Sequence, residues 1–402
     1  MPSSAAWRPL RPARPATEAL ESMSHRGDIA AMKAGMRLVR GIAWMSLAAC
    51  GFPRPADLVG SDAGVGLDAN DSDNDLCLGN FVHICVAAPT QPLVISEPMT
   101  LDTMTSPLCV SVRSGGAYCV VAATDLTIFR PLRATGKKPL VLLARGTITT
   151  GDTIDVGSHR AMVPETGAGA DPASCSVGTL PGTFQEAAGG GAGGSFAGMG
   201  GNGGASGEAS GGISGAVTPA ITELRGGCAG QDGAHVINVD SGLAGHGGGA
   251  VYFIAGNSIS LHGDVLAGGE GGGGVSSGGG AGGGAGGMIG FDAPSVTVTR
   301  AVVANGGGGG EGGDAFTGTT THPGQDAVSF LPAPGGAGGN DAGGDGGSGA
   351  AGATAGSGKL GGAGTMGPAG QAGGGGGGGG AGVIKAPANA NLSTSVSPPA
   401  TP

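Results

Sequence analysis

The first chemical question is set by seven cysteines. Cys50 stands apart from Cys77, Cys85, Cys109, Cys119, Cys175 and Cys228. An even set in an exported chain reads as a disulfide framework, and six thiols leave many pairings open. Proximity favours Cys77–Cys85 and Cys109–Cys119, while Cys175 and Cys228 flank a long Gly-rich stretch and are placed to clamp its base. Zinc sites use close pairs such as CxxC, and the chain has none, so no metal is expected. The acidic run at Asp68, Asn70, Asp71, Asp73 and Asp75 invites a calcium reading. A calcium loop opening at Asp71 needs Gly at its sixth and Glu at its twelfth position. Leu76 and Val82 stand there.

Catalytic signals are formal. His246-Gly247-Gly248-Gly249 matches the HGGG of lipase oxyanion holes, and Gly274-Val275-Ser276-Ser277-Gly278 matches G-x-S-x-G. A nucleophile elbow needs a strand before it and a helix after it, whereas glycine flanks this one on both sides. Acid–base hydrolysis of sugars needs carboxylates gathered on one surface. In register, Asp264 meets Ala301 and Thr153, His262 meets Thr299 and Gly151, and Asp155 meets Leu266, so no acidic ladder forms. Lone polar residues at corners are turn formers. Asp341 and Asp345 do not complete a GGxGxD calcium repeat. No catalytic residue and no cofactor is expected.

These side chains ride on a repeat. Val251–Ile254, Ser258–Leu261 and Asp264–Ala267 are followed 37 residues later by Met288–Phe291, Ser295–Val298 and Ala301–Ala304. Both triplets run into glycine. Val141–Ala144, Thr147–Thr150 and Thr153–Val156 form the same triplet, and Cys119–Ala122, Asp125–Ile128 and Pro131–Ala134 precede it by 22 residues. The bare unit is therefore 22 residues, and the longer one carries an insertion. Leu93-Val94-Ile95 starts an earlier unit without a clear register, and a last one covers 382–397.

Within each unit the period is two: Ile259 and Leu261 alternate with Ser258 and Ser260. Short strands of this kind cannot fold alone, but stacked about 4.8 Å apart they share ladders and bury aligned apolar columns. The expected class is all-β, a parallel β-helix over 76–402. Its triplet resembles the right-handed pectate-lyase-like helices, a likeness of architecture that brings no active site. The alternative is a β-sandwich with disordered Gly loops, which requires hairpins.

Glycine makes up 93 of 402 residues, against roughly 7% in ordinary proteins, and aromatics only 3%. The runs at 187–215, 268–287, 305–313 and 335–382 lack a Gly-X-Y period, which excludes collagen. Flexible coil is the default expectation because glycine loses the most entropy on ordering. Ordered polyglycine-II strands packed side by side are the alternative. The composition resembles the glycine-rich surface proteins called PGRS-like.

The N-terminus reads as an address. Lys33, Arg37 and Arg40 precede the apolar run 41–49, which ends at Cys50. Such a basic, apolar, small-residue order is that of a secretory signal. Leu47-Ala48-Ala49-Cys50 resembles the lipobox of bacterial lipoproteins. The resemblance implies a signal peptide at 32–49, cleavage before Cys50 and its acylation, with Gly51 implying outer-membrane sorting. Residues 1–31 fit no part of a signal, and synthesis is expected to begin at Met32 or Met36. Residues 50–75, with six Asp, read as a flexible stalk.

Residues 1–49 hold seven of the 19 Lys/Arg and three of the 29 acids, leaving the rest at net −14. Phosphate backbones demand clustered cations, so no nucleic-acid partner is expected. The expected protein is non-enzymatic and lipid-anchored at the outer membrane or cell surface, structural or adhesive. Its expected partners are the membrane, through the anchor, and an extracellular polysaccharide or neighbouring surface protein. A carbohydrate-binding or carbohydrate-active protein is the alternative.

Overall fold

The structure is a computed structural model that describes residues 74–160, 166–185, 187–235, 241–313, 321–337, 352–358 and 372–402. Two units divide the chain, Met1–Val65 and Gly66–Pro402, and every described residue belongs to the second. The signal segment, Cys50, nearly all of the acidic stalk, and Asp341 and Asp345 lie outside the described residues.

Every described element is a strand, so the fold is all-β. A hairpin of β1 (Asp75–Leu78) and β2 (Ile84–Ala87) comes first. β3 (Leu93–Ile95) and β4 (Met99–Asp102) make a partial turn. Full turns of three follow. The first is β5 (Cys119–Ala123), β6 (Leu126–Ile128) and β7 (Leu132–Thr135). The second is β8 (Leu140–Ala144), β9 (Thr147–Thr150) and β10 (Ile154–Asp155). β11 (Thr183–Phe184) and β12 (Ala187–Ala188) lie in the first long insertion. The turns resume with β13 (Ala250–Ala255), β14 (Ser258–Leu261) and β15 (Val265–Leu266). Next come β16 (Met288–Asp292), β17 (Ser295–Val298) and β18 (Val302–Val303). After β19 (Ala372–Gly373) the last turn is β20 (Val383–Lys385), β21 (Asn391–Leu392) and β22 (Val396–Ser397).

Equivalent strands of successive turns pair in parallel and build three sheets. The first runs β5-β8-β13-β16-β20, the second β3-β6-β9-β14-β17-β21, the third β4-β7-β10-β15-β18-β22. Leu93 pairs with Leu126, which gives the earliest unit its register. The hairpins that a sandwich requires are few: among the described strands only β1–β2 and β11–β12 pair antiparallel.

One register differs from the sequence repeat. The second and third sheets keep the offset, Ser258 on Ser295 and Val265 on Val302. In the first sheet Val251 pairs with Ile289, one residue past Met288. The cause is the corner between the first two sheets, which holds Gly256 and Asn257 after Ala255 but only Pro294 after Ala293. Gly256 fits because a Cβ there would stand 2.2 Å from the Arg145 carbonyl oxygen.

Sheet position explains strand composition. Strands of the second sheet alternate, with Ile148, Ile259 and Val296 inside and Thr149, Ser260 and Thr297 outside. The first sheet is covered on both faces, and its strands are apolar almost throughout, as in Leu140–Ala144, with the charged Asp292 and Lys385 only at the ends of β16 and β20. Inside, Phe253 stacks on Phe291 with ring centroids 5.3 Å apart. Outside, Val120, Val141 and Tyr252 share a second core with Val82, Ile84 and Val86 of the N-terminal hairpin region.

Flexible coil, the default expectation for the glycine runs, is not what 187–215, 268–287 and 305–313 form. The segment 279–287 is extended and buried, and its N–H groups go to three neighbours in rotation. Gly280, Gly283 and Gly286 donate to Gly374, Gly377 and Gly380. Gly284 and Gly287 donate to Glu270 and Ala267, and Gly282 and Ala285 to Gln231 and Cys228. Its carbonyls accept from three further segments, through Gly191 and Gly194, Gly307 and Gly310, and Gly242, Gly245 and Gly248. Six neighbours and a three-residue period are the arrangement of polyglycine II, whose helices make no internal bonds. At the glycine positions side chains are excluded: a Cβ on Gly282 would lie 1.9 Å from the Ala192 oxygen, whereas the methyl groups of Ala281 and Ala285 fit and are buried.

Energetics explain why this lattice is built onto the sheets. Ordering a residue's backbone costs about 1–2 kcal/mol. A hydrogen bond returns about 1 kcal/mol net. The two nearly cancel, so glycine strands need held ends. The 267–287 excursion leaves the third sheet after β15 and re-enters the first at β16, so both ends are fixed. Long side chains substitute for peptides in the lattice. Gln231 accepts from the Ala192 N–H at 3.1 Å and donates to the carbonyls of Val177, Thr179 and Ile213.

Candidate functional site

The six described cysteines form three disulfides. Cys77 faces Cys85 across the β1–β2 hairpin with Cα atoms 4.1 Å apart. Cys109 is tied to Cys119, the first residue of β5. Cys175 is tied to Cys228, 53 residues on. Closing a loop of that length removes unfolded-state entropy equivalent to about 4 kcal/mol in the chain-entropy picture. Ligand atoms of Cys77, His83 and Cys85 lie within 4.8 Å of one another, but the S–S bond occupies both sulfurs.

The glycine segments also gather charge. Asp155, at the end of β10, meets Arg133 at 2.9 Å and His159 Nε2 at 2.9 Å. His159 Nδ1 faces Asp326 at 3.5 Å. Asp326 accepts from the Arg160 and Gly271 N–H groups, both at 2.9 Å. The Arg160 guanidinium lies 3.1 Å from Glu270, whose side chain is buried, and donates to the Gly271 and Leu243 carbonyls. Glu270 accepts from the His246 N–H, and His246 Nδ1 lies 2.6 Å from Asp171.

Their protonation follows from these contacts. Hydrogen bonds to Asp155 and then Asp326 raise His159 to about 9 against the effect of burial. The bond to Asp171 raises His246. Burial pushes the Glu270 carboxyl up, and Arg160 pulls it partly back. Burial pushes Asp326 up as well, yet bonds from His159, Gly271 and Arg160 outweigh it and hold the carboxyl below its ordinary value. Each carboxylate of the set is engaged by a cation or by backbone N–H groups.

The formal motifs are absorbed by the lattice. In the HGGG stretch Gly247 N–H binds Asp171, Gly248 N–H binds Ala285 and Gly249 N–H binds Val156. Those amides are spent on structure and do not converge on an oxyanion. Ser276 lines an open groove of about 440 Å³ with Arg160, Leu243, Val275 and Thr321. Glycine strands flank it on both sides.

The outer face of the second sheet is different. Thr127, Thr149, Ser260, Thr297 and Asn391 stand in one register across five turns. Thr147, Ser258 and Ser295 form a second column. Asp125 ends it by accepting from the Thr147 N–H and hydroxyl, both at 2.9 Å. Asp264 likewise accepts from the Ala301 N–H of the next turn. These corner acids are inter-turn clips. At one end of the face Val94 and Phe129 are 55% and 56% exposed.

Sequence reasoning placed Asp155 opposite Leu266, as the register has it. It missed His159, Arg160, Asp171, Arg225, His246 as an ion-pair partner, Glu270 and Asp326. The available signal was their type: charged residues isolated in glycine-rich sequence have no local reason to be there. Among the described residues no helix is long and apolar enough to cross a membrane. Comparison with protein-family models, curated proteins and solved structures finds no match.

Proposed function

We propose that the protein is a non-enzymatic, lipid-anchored surface or outer-membrane protein with a structural or adhesive role. Its described unit is read as a right-handed parallel β-helix. The strong right-handed preference of parallel crossovers supports that hand. Acylated Cys50 anchors it, and the hydroxyl face of the second sheet contacts an extracellular polysaccharide or a neighbouring surface protein. The observation that carries this reading is the hydroxyl register of Thr127, Thr149, Ser260 and Thr297, a repeating uncharged surface suited to a repeating ligand. Three disulfides support an oxidising compartment.

A polysaccharide panel tests the reading. Binding without turnover is expected, and turnover of any glycan overturns it. Intact mass of the purified protein tests the anchor: an unprocessed N-terminus ahead of Cys50 removes it. A carbohydrate-active reading is favoured only by Asp155 and Asp326 on either side of His159. It requires turnover that Asp326→Asn abolishes.

A further inference from the structure

We infer that the Cys175–Cys228 disulfide is a thiol-exchange site, opened by an external thiol that attacks Cys175 while Arg225 receives the departing Cys228 thiolate. The inference is independent of the lipid anchor and of any glycan. It rests on what surrounds the two sulfurs.

Arg225 is buried, and its nearest contacts are neutral. The guanidinium lies 5.0 Å from the centre of the Phe196 ring. Nε donates to the Gly226 carbonyl at 3.2 Å, and one terminal nitrogen donates to the Ser174 hydroxyl at 2.9 Å. The other points at the disulfide, 3.1 Å from Cys228 Sγ and 3.3 Å from Cys175 Sγ. Burial lowers the pKa of this cation, and the charge of Glu223 acts against that. A disulfide sulfur is a weak acceptor, so a buried cation gains little from it. A thiolate in the same place would accept a charge-assisted bond of about twice the strength. The contact thus favours the reduced state over the oxidised one, which makes a disulfide easier to reduce.

Access selects the sulfur. Cys228 is 3% exposed and its backbone belongs to the lattice, accepting from the Ala285 N–H. Cys175 is half-buried and borders two clefts, of about 100 and 230 Å³; Cys228 borders only the second and is the more deeply buried of the two. An incoming thiolate reaches Cys175 Sγ and forms a mixed disulfide. The S–S electron pair leaves on Cys228 Sγ beside Arg225. A second thiol attacks the mixed disulfide, giving two protein thiols and one small-molecule disulfide, so two electrons and two protons balance. The exposed strap around Cys175 is then held by hydrogen bonds, including Gln231 on Val177 and Thr179, while the Cys228 strand stays in the lattice.

Cys109–Cys119 is the internal reference. The full chain is equilibrated in glutathione buffers of graded poise, trapped with an alkylating reagent and mapped by peptide mass. Cys175–Cys228 is expected to reduce with an equilibrium constant at least tenfold above that of Cys109–Cys119, a gap of about 30 mV. Arg225→Gln is expected to close the gap. Equal resistance of the two disulfides in the wild type overturns the inference, as does an unchanged gap in R225Q. Should R225Q fail to fold, thiolate ultraviolet absorbance of the reduced wild type decides. A cysteine ionising well below about 8.5 supports the inference, and ordinary titration of every thiol sinks it.

Discussion

The three-sheet stack and the glycine lattice satisfy the same backbone in opposite ways. In the stack, the strands of each turn hydrogen-bond mainly to those of the turns before and after it, and columns such as Ile148, Ile259 and Val296 fill the space between sheets. In the lattice, segment 279–287 bonds to six neighbours, and its glycine positions leave no space for a side chain. A core of side chains can relax around a missing methyl. A core of peptide groups cannot relax around an added one, because the obstructing atom is itself a hydrogen-bonded carbonyl.

Substitutions can break that comparison. The largest effect is expected for Gly282→Val, whose Cβ would meet the Ala192 oxygen at 1.9 Å. The loss should exceed about 4 kcal/mol in denaturant unfolding, the range in which single changes are diagnostic. A loss under about 1 kcal/mol would show that the segment is not enclosed. Phe253→Ala, which empties one ring of the Phe253–Phe291 stack, is expected to cost about 3–5 kcal/mol. The hydrogen-exchange pattern should divide the two: G282V exposes lattice amides first, and F253A exposes the stack.

Removing the clamp sharpens the contrast. Cys175→Ser with Cys228→Ser is expected to cost about 2–5 kcal/mol. Amide protection should fall between 187 and 215 and persist in the three sheets; uniform loss would refute the local role.

The charge network predicts a pH effect. The folded pKa of His159, about 9, lies above its ordinary 6.5. Its contribution is therefore complete below about pH 6.5 and lost as pH rises through about 9, on the order of 2–3 kcal/mol. His159→Asn should flatten stability between pH 6.5 and about 9. A wild type already flat across that window removes the network from the stability account.

The smallest effect on stability belongs to the outer face. Thr149→Val is expected within about 0.5 kcal/mol of wild type. If the hydroxyl columns hold a glycan, T149V should weaken binding on the panel while leaving unfolding unchanged.

Much of the stack was legible. Leu126 and Ile148, 22 residues apart, pair as their match suggested, and the cysteines join as proximity and flanking position favoured. The pairing of Val251 with Ile289 was not legible, because a difference of one corner residue shifts strands that are apolar but for Asp292 at the end of β16. An alternating strand would have revealed the slip; Leu140–Ala144 and its neighbours are buried on both faces and hide it. The network was invisible because Asp155, His159 and Arg160, neighbours in one stretch from the end of β10, meet Glu270 and Asp326 from two segments more than 100 residues further on.

Local sequence by itself determined what each segment can be. Period-two alternation made Ser258–Leu261 a strand, and a glycine run such as 279–287, with only the methyl groups of Ala281 and Ala285, left too little side chain to build an ordinary core. Tertiary structure alone decided which glycine strand lies beside which. Consecutive glycines carry no side-chain pattern, so nothing along the chain distinguishes one neighbour from another. The choice follows from where each excursion leaves and re-enters the sheets, from the Cys175–Cys228 bond and from the few polar side chains that bridge the lattice.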